Sequence, residues 1–163
     1  MKNRALQATL AVAFVVLSCA ARADFSGQVV GVLDGDTIDV LVNQNPVRVR
    51  LAEIDAPEKK QPFGTRSRQA LSEYVFRQVV TIRENGKDRY GRTIGTVLVD
   101  GQSVNRAMVD AGMAWAYRTY LVDRSLLEVE ARARSSKRGL WVDASPTPPR
   151  EWRTHQSVVR QAP

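Results

Sequence analysis

The sequence predicts an α+β domain built on a small closed β-barrel of five strands, of which the OB-fold is the commonest type, with three helices. Five short runs rich in β-branched residues occur along the chain, and the first three lie close together between turn signals. Helical periodicity follows the third run and returns after the fifth. A two-sheet sandwich is the alternative architecture, but closure into a barrel leaves fewer exposed strand edges in a small domain.

Each predicted strand is bounded by turn-forming residues. The first three runs are GQVVGVL, TIDVLV and PVRVRLAEI, at residues 27–33, 37–42 and 46–54, and Asp-Gly and Asn-Pro pairs separate them. Two further strands, VVTIREN at 79–85 and TIGTVLV at 93–99, flank the loop GKDRYGR. Because the early strands are sequential and their connections are short, they are expected to form an antiparallel meander.

The three predicted helices follow from apolar residues at helical spacing. The segment Phe63–Phe76 has an apolar stripe at four-residue spacing, which indicates a helix with one buried face. A short helix is expected around residues 104–111, closed by Gly112. A third helix is expected to be capped by Asp123 and to end before Gly139.

The N-terminal segment differs in composition from the domain. Residues 1–23 combine Lys2 and Arg4, a short apolar run and an Ala-Arg-Ala site, which is the pattern of a secretory signal peptide. The apolar run is shorter than the roughly 20 residues that a membrane-spanning helix needs. Cleavage after Ala23 predicts an exported protein of the periplasm or the medium without membrane attachment in its mature form. A lipid anchor on Cys19 is the minor alternative.

Residues 24–142 are expected to form one folded domain, and the proline-bearing residues 143–163 are expected to form a disordered tail. The single cysteine lies in the predicted signal peptide, and the single histidine, His155, lies in the tail. Ser-His-Asp hydrolysis, Cys-His chemistry and zinc sites are therefore not expected in the domain. Its chemistry would have to use carboxylates, arginines, tyrosines, lysines or a hard metal ion. The net charge of +7 is only a mild indication of a polyanionic partner.

The stretch LDGDTIDV, at residues 33–40, places two aspartates beside a strand-like run. Asp36 has the same parity as Ile38, so on a strand it would face the same side as the core residues. A buried carboxylate is costly unless it is paired, binds a metal or becomes neutral. The alternative is that Asp34 and Gly35 form a hairpin turn, with Asp36 as a solvated flank.

The stretch RLAEIDAPEKK, at residues 50–60, supplies a second pair of acids. Asp55 follows the third predicted strand, and Pro57 holds Ala56 in an extended conformation that projects Glu58 into a loop. The alternative is a helix capping box, with Asp55 as the N-cap and Glu58 at the third helical position. Pro62 disfavours that alternative because it lies where the helix would continue.

The stretch KDRYGRT, at residues 87–93, carries Arg89, Tyr90 and Arg92 in a turn between two strands, and Arg50 is available from the third strand. The planar fork of an arginine engages two phosphate oxygens at once, and a tyrosine offers a hydroxyl group and a ring face. The alternative is a solvated hairpin tip whose arginines form salt bridges with nearby acids.

Together these segments resemble the staphylococcal nuclease (thermonuclease) family over residues 27–142. The resemblance rests on several motifs in the family's order, namely DGDT, VRLAEIDAPE, DRYGR, VNRAMVDAGMAWAY and RGLW. It implies an OB-fold barrel with three helices, in agreement with the strand pattern. It also implies a calcium-dependent, sugar-nonspecific endonuclease that cleaves DNA and RNA and leaves 3′-phosphate ends.

The resemblance also implies a role for each site residue. Asp36 and Asp55 match the carboxylates that hold the family's calcium ion, and the backbone carbonyl of Ala56 matches a further ligand. The family often has threonine at that position, but a carbonyl ligand survives the change. Glu58 matches the acid that orients or deprotonates the attacking water.

The resemblance places the substrate-contacting groups on the arginine-rich loop and its neighbours. Arg50 and Arg92 match the two phosphate-binding arginines, and Arg89 and Tyr90 match positions that contact the neighbouring phosphate. Tyr117 matches a tyrosine that lines the sugar and base pocket, and local spacing leaves Tyr120 as the alternative. We expect a monomer without a stable protein partner. The alternative function, a non-catalytic OB-fold nucleic-acid-binding module, is usually accompanied by loss of the acids and arginines, which are all present here.

Overall fold

The structure is a computed structural model that describes residues 24–161, so the predicted signal peptide and Cys19 lie outside the described residues. The strands are β1 (Phe25–Val32), β2 (Thr37–Val42), β3 (Asn45–Leu51), β4 (Ile54–Asp55), β5 (Val79–Lys87), β6 (Thr93–Val99), β7 (Gln102–Ser103) and β8 (Trp115–Ala116). The helices are α1 (Gly64–Val75), α2 (Val104–Asp110), α3 (Ser125–Ser135) and α4 (Pro149–Gln161). No helix in this part of the chain is long and apolar enough to cross a membrane.

Five of the strands close into a barrel, which confirms the predicted fold class. Antiparallel pairing links β3, β2, β1, β5 and β6 in that order. Parallel pairing of β3 with β6, with Val49 opposite Thr93 and Arg50 opposite Ile94, completes the ring. Because β3 and β6 are bonded to each other, the sheet does not divide into the two layers of a sandwich.

The inward-facing side chains of the barrel form the main core together with α1 and α2. On β3, Val49 and Leu51 are buried, whereas Arg48 and Arg50 lie on the outer face, as the two-residue period of a strand requires. Leu71 of α1 and Met108 of α2 are fully buried against this core. Burying each such side chain contributes about 1.5–3 kcal/mol, so the helices are held mainly by packing. The acidic and basic site residues are consequently carried by a rigid scaffold.

Three of the helices occur where the sequence predicts them, and the tail differs from the prediction. In place of a disordered tail, the structure has α4 at Pro149–Gln161. Pro146 and Pro148 precede this helix, and Pro149 occupies its first position, where a missing N–H group costs little. Gln61 donates a hydrogen bond to the carbonyl of Thr147 (2.6 Å), and Pro149 is buried, so the segment is joined to the domain. This tertiary contact has no signature in the tail's own composition.

Candidate active site

Two aspartates and one arginine form the centre of the site. Asp36 lies directly before β2, Arg50 lies on β3, and Asp55 ends β4. The Nη1 atom of Arg50 lies 3.1 Å from Oδ2 of Asp36, and its Nη2 atom lies 2.9 Å from Oδ1 of Asp55. Both aspartates are buried. Because one guanidinium group contacts both carboxylates, the structure brings these three predicted residues together.

Asp36 is fixed by hydrogen bonds from several directions. Its Oδ2 atom accepts from the N–H group of Ala56 (2.9 Å), and its Oδ1 atom accepts from the hydroxyl of Thr37 (3.0 Å). Its backbone carbonyl accepts from Leu51 (2.8 Å), and its N–H group donates to Oδ1 of Asp34 (3.0 Å). With 7% of its surface exposed, Asp36 is not the solvated turn flank of the alternative interpretation.

Gly35 allows the loop that carries Asp36 to approach α1 closely. A Cβ atom at this position would overlap the hydroxyl of Ser67 on α1 and would lie 2.7 Å from the Cβ of Ala56. Ser67 is itself fully buried and donates to the carbonyl of Met113 (2.7 Å). The absence of a side chain at Gly35 therefore sets the distance between the loop and the helix, and with it the position of Asp36.

Burial disfavours the ionised form of two carboxyl groups of the site. Burial raises the pKa of Asp55 to about 6; the Arg50 charge opposes the rise, and the Asp36 charge adds to it. Burial also raises the pKa of Asp34 to about 6, and the neighbouring charge of Asp36 contributes. Carboxyl groups whose ionised form is disfavoured in this way are stabilised by an added cation.

The donor atoms fit a hard divalent ion. Asp36 and Asp55 provide carboxylate oxygens, and the N–H group of Ala56, which donates to Asp36, places this residue beside them. Calcium takes about six to eight oxygen ligands in irregular geometry, and these include carboxylates, backbone carbonyls and water. Across residues 24–161, no group of three or more acidic, histidine or cysteine side chains could hold a metal ion. The rest of a coordination sphere would therefore consist of carbonyl or water oxygens.

Glu58 lies in the loop between β4 and α1, next to the aspartate pair. Its N–H group donates to Oε1 of Gln61 (3.1 Å), and its carbonyl accepts from the N–H group of Gln61 (2.8 Å). The predicted alternative of a capping box does not form, because α1 begins only at Gly64. The Glu58 side chain is 40% exposed and is therefore accessible from solvent.

Arg89, Tyr90 and Arg92 form a separate group in the turn between β5 and β6. The guanidinium groups of Arg89 and Arg92 lie 4.8 and 5.8 Å from the centroid of the Tyr90 ring. The Nε atom of Arg92 donates to Oδ2 of Asp88 (2.7 Å), whose other oxygen accepts from the N–H groups of Tyr90 and Arg92. Asp88, which the sequence analysis did not assign, thus orients both the turn and the Arg92 side chain.

Arg92 does not join the central cluster by direct contact. No hydrogen bond or ion pair within the described residues connects it to Asp36, Asp55 or Arg50. It directly precedes Thr93, which is the first residue of β6 and the register partner of Val49, so Arg92 lies in the turn next to the strand that neighbours β3. A cleft of about 550 Å³ opens beside this turn, lined by Asp39, Pro46, Arg48, Tyr90, Gly91 and Arg92.

Tyr117 and Tyr120 lie together after β8. Their rings meet edge to face with centroids 5.1 Å apart, and the N–H group of Tyr117 donates to the carbonyl of Glu53 (2.7 Å). The two alternative candidates for the tyrosine of the sugar and base pocket therefore belong to one aromatic cluster. Tyr117 is partly buried, whereas Tyr120 is 67% exposed.

Two buried polar residues that support the site were missed by the sequence analysis. Asn105 on α2 donates to the carbonyl of Ala52 (2.8 Å) and accepts from the N–H group of Val97 (2.9 Å), which ties α2 to the turn before β4. Glu130 on α3 accepts from the N–H group of Ala116 (3.0 Å) and fixes the segment that leads to Tyr117. A polar residue on an otherwise apolar helix face was the only available signal.

Arg153 reaches the site from α4, and the sequence analysis did not assign it. Its Nη1 atom forms an ion pair with Oε1 of Glu58, and its Nη2 atom lies 3.6 Å from Oδ2 of Asp55. Burial lowers the pKa of Arg153, but the hydrogen bond to Glu58 and the charges of Asp55, Glu58 and Tyr117 raise it by more. No local motif marks this residue, because its position depends on how α4 packs.

A closed OB-type barrel with acids and arginines at one end defines a class of small nucleases. The family profile described as staphylococcal nuclease homologue matches residues 48–143. The chain is 48% identical over 160 residues to the micrococcal nuclease of Shigella flexneri, with 91% of this chain and 92% of the relative covered. The chain belongs to the staphylococcal nuclease family and is a nuclease.

Two further relatives extend the similarity over nearly the whole chain. An uncharacterized endonuclease of Haemophilus influenzae is 40% identical over 159 residues, which cover 97% of this chain and 89% of the relative. The protein ParB of Escherichia coli is 48% identical over an alignment of 174 positions, gaps included, which covers 98% of each chain. The similarity therefore extends beyond the segment that the family profile matches.

Proposed function

We propose that the protein is a calcium-dependent, sugar-nonspecific endonuclease that hydrolyses DNA and RNA to products with 3′-phosphate ends. The observation that supports this function best is the bridge from Arg50 to the carboxylates of Asp36 and Asp55 in a chain of the nuclease family. It joins two buried anions with hard oxygen donors to a guanidinium group suited to a phosphate. The groups needed to bind a divalent ion and a phosphodiester are therefore neighbours.

Asp36, Asp55 and the carbonyl of Ala56 would hold the calcium ion. When bound there, calcium supplies positive charge next to the phosphate and helps to order the attacking water. Glu58 accepts the proton of that water, a role for which its exposed and adjacent carboxylate is suited. Because Oε1 of Glu58 pairs with Arg153, either this contact opens or the second carboxylate oxygen, Oε2, accepts the proton.

Arg50 and Arg92 stabilise the charge that builds up on the phosphate oxygens during attack. Arg50 is held in advance, because its Nη1 atom donates to the carbonyls of Leu51 (3.3 Å) and Ile54 (3.1 Å). Arg92 lies in the turn before β6, beside the open cleft, where a bound nucleic-acid strand could bring a phosphate to it. Arg89 and Tyr90 offer a guanidinium group and a hydroxyl to the adjacent phosphate, and Tyr117 offers a ring to the sugar and base.

The reaction forms a bond from the water oxygen to phosphorus and breaks the bond from phosphorus to the 5′ oxygen. Glu58 receives the water's proton, and the departing 5′ oxygen takes a proton from solvent. The phosphate remains on the 3′ side of the break. None of these groups requires or excludes a 2′-hydroxyl, which is why both DNA and RNA are proposed as substrates.

Export and a monomeric state are also part of the proposal. The signal-peptide pattern of residues 1–23 supports delivery to the periplasm or the medium. N-terminal sequencing of the protein recovered from these fractions should begin at Asp24. A protein that begins at any of residues 1–23, or one that is recovered with the cytoplasmic fraction, would contradict the proposed export and cleavage. Light scattering of the purified protein should give the mass of one chain.

The decisive experiment measures cleavage of heat-denatured DNA and of RNA by the purified protein, with calcium and with a calcium chelator. Calcium should support the degradation of both substrates, and the chelator should stop it. End analysis of the products should find phosphate on the 3′ side. Full activity in the chelator would reject the metal assignment, and 5′-phosphate ends would reject the proposed direction of cleavage.

One variant tests the proposed role of Glu58 as the base, and a second variant serves as its control. Glu58→Gln should lower the rate by about 10²- to 10⁴-fold, the usual contribution of a general base. Glu73→Gln makes the same change at an exposed position of α1 that forms no ion pair within the described residues, and it should leave the rate within about twofold. An unchanged rate for Glu58→Gln would remove the base role from this residue.

A further inference from the structure

The C-terminal helix α4 places a cation of the chain itself on two acids of the proposed active site. Arg153 pairs with Glu58, and its second terminal nitrogen lies 3.6 Å from Oδ2 of Asp55. Because only 5% of the surface of Asp55 is exposed, Arg153 approaches one of the two buried aspartates. The guanidinium group therefore contacts the oxygen of the proposed base and the outer oxygen of a proposed calcium ligand.

The docking of α4 involves more than this one side chain. Gln61 in the loop after Glu58 donates to the carbonyl of Thr147 (2.6 Å), and Pro149 at the start of α4 is buried. Trp152 is partly buried. A shallow cleft of about 320 Å³ lies between the helix and the loop, lined by Glu58, Lys59, Lys60, Trp152, Arg153, Gln156 and Ser157. The helix is thus docked on the loop that carries the proposed base.

This arrangement conflicts with the chemistry required of the two acids. The ion pair engages Oε1 of Glu58, so Oε2 is the oxygen left to accept a proton from water while α4 is docked. A divalent ion at Asp55 would also meet the positive charge of Arg153 nearby, and like charges repel. The docked helix therefore disfavours both the use of Oε1 as a base and the binding of a divalent ion at Asp55.

We propose that α4 is an autoinhibitory element, in which Arg153 occupies Glu58 and Asp55 until a divalent cation and a nucleic-acid strand displace it. The inference rests on the proposed roles of these two acids. The interaction is suited to release, because neither hydrophobic core cluster includes a residue from the part of α4 whose side chains are described, residues 149–157. Arg153 is also 47% exposed, and partly exposed ion pairs are weak.

Displacement of the helix has a measurable effect on calcium binding. If the docked form binds the ion poorly, the apparent affinity is reduced in proportion to the fraction of molecules in which α4 is released. Removal of the Arg153 contact should raise that fraction. We expect Arg153→Ala to lower the apparent dissociation constant for calcium by about three- to tenfold in calorimetric titrations without nucleic acid.

Two further variants separate helix docking from a simple loss of charge. Arg150→Ala removes the same charge from an exposed position of α4 that makes no ion pair within the described residues, and it should leave calcium affinity unchanged. Trp152→Ala changes no charge but removes the largest side chain of α4 at the loop, so it should tighten calcium binding in the same direction as Arg153→Ala. Thermal melts should verify that each variant remains folded.

Hydrogen exchange gives a readout that does not depend on activity. The amides of α4 should be protected in the wild-type protein in chelator and should exchange at least several-fold faster after calcium and a short DNA strand are added. In Arg153→Ala they should exchange rapidly from the start. At limiting calcium, this variant should also cleave DNA faster than the wild-type protein.

The outcomes distinguish this inference from the proposed function. Equal calcium affinities for the wild-type protein and Arg153→Ala, or α4 amides that stay protected with both ligands present, would overturn autoinhibition and leave the nuclease proposal intact. A lower turnover of Arg153→Ala with unchanged calcium affinity would also overturn it, because Arg153 would then be a substrate contact. A wild-type protein that cleaves nothing in calcium would overturn the proposed function instead.

Discussion

The ionised form of Asp55 lowers the stability of the fold, but the proposed role of Asp55 as a calcium ligand requires that form. Its carboxylate is buried beside a second aspartate, and Arg50 offsets this charge only in part. In the folded protein its pKa is raised to about 6, whereas the ordinary value is 3.8. Ionisation is therefore less favourable in the folded state than in the unfolded chain. The ionised form of Asp55 thus lowers the stability of the fold, which is the trade-off expected of the proposed calcium ligand.

The pH dependence of stability follows from the direction of this shift. Below about pH 4, Asp55 is protonated in both states and contributes no penalty. The penalty grows as the pH rises from about 4 to 6, and it remains constant above that range. We expect metal-free Asp55→Asn to be more stable than the wild-type protein at pH 7.5 by about 1–3 kcal/mol. The difference should shrink toward pH 4.5, as measured by urea unfolding in chelator.

A control variant and a second measurement in excess calcium extend the test of Asp55. Asp39→Asn, which removes an acid of a partly exposed pair, should change stability by no more than about 0.5 kcal/mol at either pH. In excess calcium the order should reverse, because the wild-type protein gains stability from the bound ion. If Asp55→Asn were less stable than the wild-type protein at pH 7.5 in chelator, the contacts of Asp55 with Arg50 and Arg153 would outweigh its burial.

The residues that the sequence could identify are those whose signal is local. The parity of Asp36 with the buried Ile38 predicted an acid facing the core, and the structure finds it buried. Pro57 and Pro62 predicted that Glu58 lies in a loop, and α1 does begin after both prolines. Arg153 had no such signal, because its contact with Glu58 spans 95 positions of the chain.

At the scale of elements, the loop before β2 and helix α1 form one unit. The N–H group of Leu33 donates to the carbonyl of Thr37 (2.9 Å), which closes the loop, and Gly35 then lies against Ser67. The side chain of Ala56 also lies against Gly35, and the N–H group of Ala56 donates to Asp36. The position of the aspartate therefore depends on the packing of a helix that carries none of the proposed catalytic groups.

Gly35→Ala should disturb this unit. The added methyl group would overlap the hydroxyl of Ser67 and crowd Ala56, so α1 or the loop must shift. Overpacking of this kind typically costs about 1–3 kcal/mol, and we expect a corresponding loss in urea unfolding. Because the shift moves Asp36, the apparent calcium dissociation constant should rise by about tenfold or more in calorimetric titration.

Gly31→Ala is the matched control for this prediction. A Cβ atom at Gly31 would lie 3.5 Å from the Cβ of Asp39, which is an ordinary contact. Stability should change by no more than about 0.5 kcal/mol, and calcium affinity should be unchanged. Equal effects of the two substitutions on calcium affinity would show that the packing of α1 does not position Asp36.

The elements themselves were predictable where their periodicity is sustained over many residues. The five barrel strands and helices α1, α2 and α3 were all expected from apolar spacing and turn residues. The two-residue strands β4 and β8 were not expected, because their pairing of Ile54 with Ala116 is purely tertiary. Helix α4 was missed because its composition resembles that of a tail and its stabilising contacts come from the domain.

At the scale of the whole molecule, basic side chains are concentrated near the candidate site. Arg48, Arg50 and Arg92 share the outer face of β3 and the adjoining end of β6, and Arg89 stacks on Tyr90 beside them. Without the three basic residues of the predicted signal peptide, the chain keeps a net charge of about +4, which gives a mild general attraction for polyanions. A nucleic-acid strand that binds across this face would release counterions for each phosphate it brings to an arginine.

The salt dependence of binding tests whether Arg89 contacts a phosphate. With a short single-stranded DNA in chelator, so that cleavage does not interfere, Arg89→Ala should bind more weakly than the wild-type protein. The plot of log affinity against log salt should lose about 0.7 from its slope, the value for one phosphate contact on a single strand. Arg132→Ala, which removes an exposed arginine of α3, should keep the wild-type slope. Equal slopes for all three proteins in fluorescence anisotropy titrations would exclude Arg89 from the phosphate-binding surface.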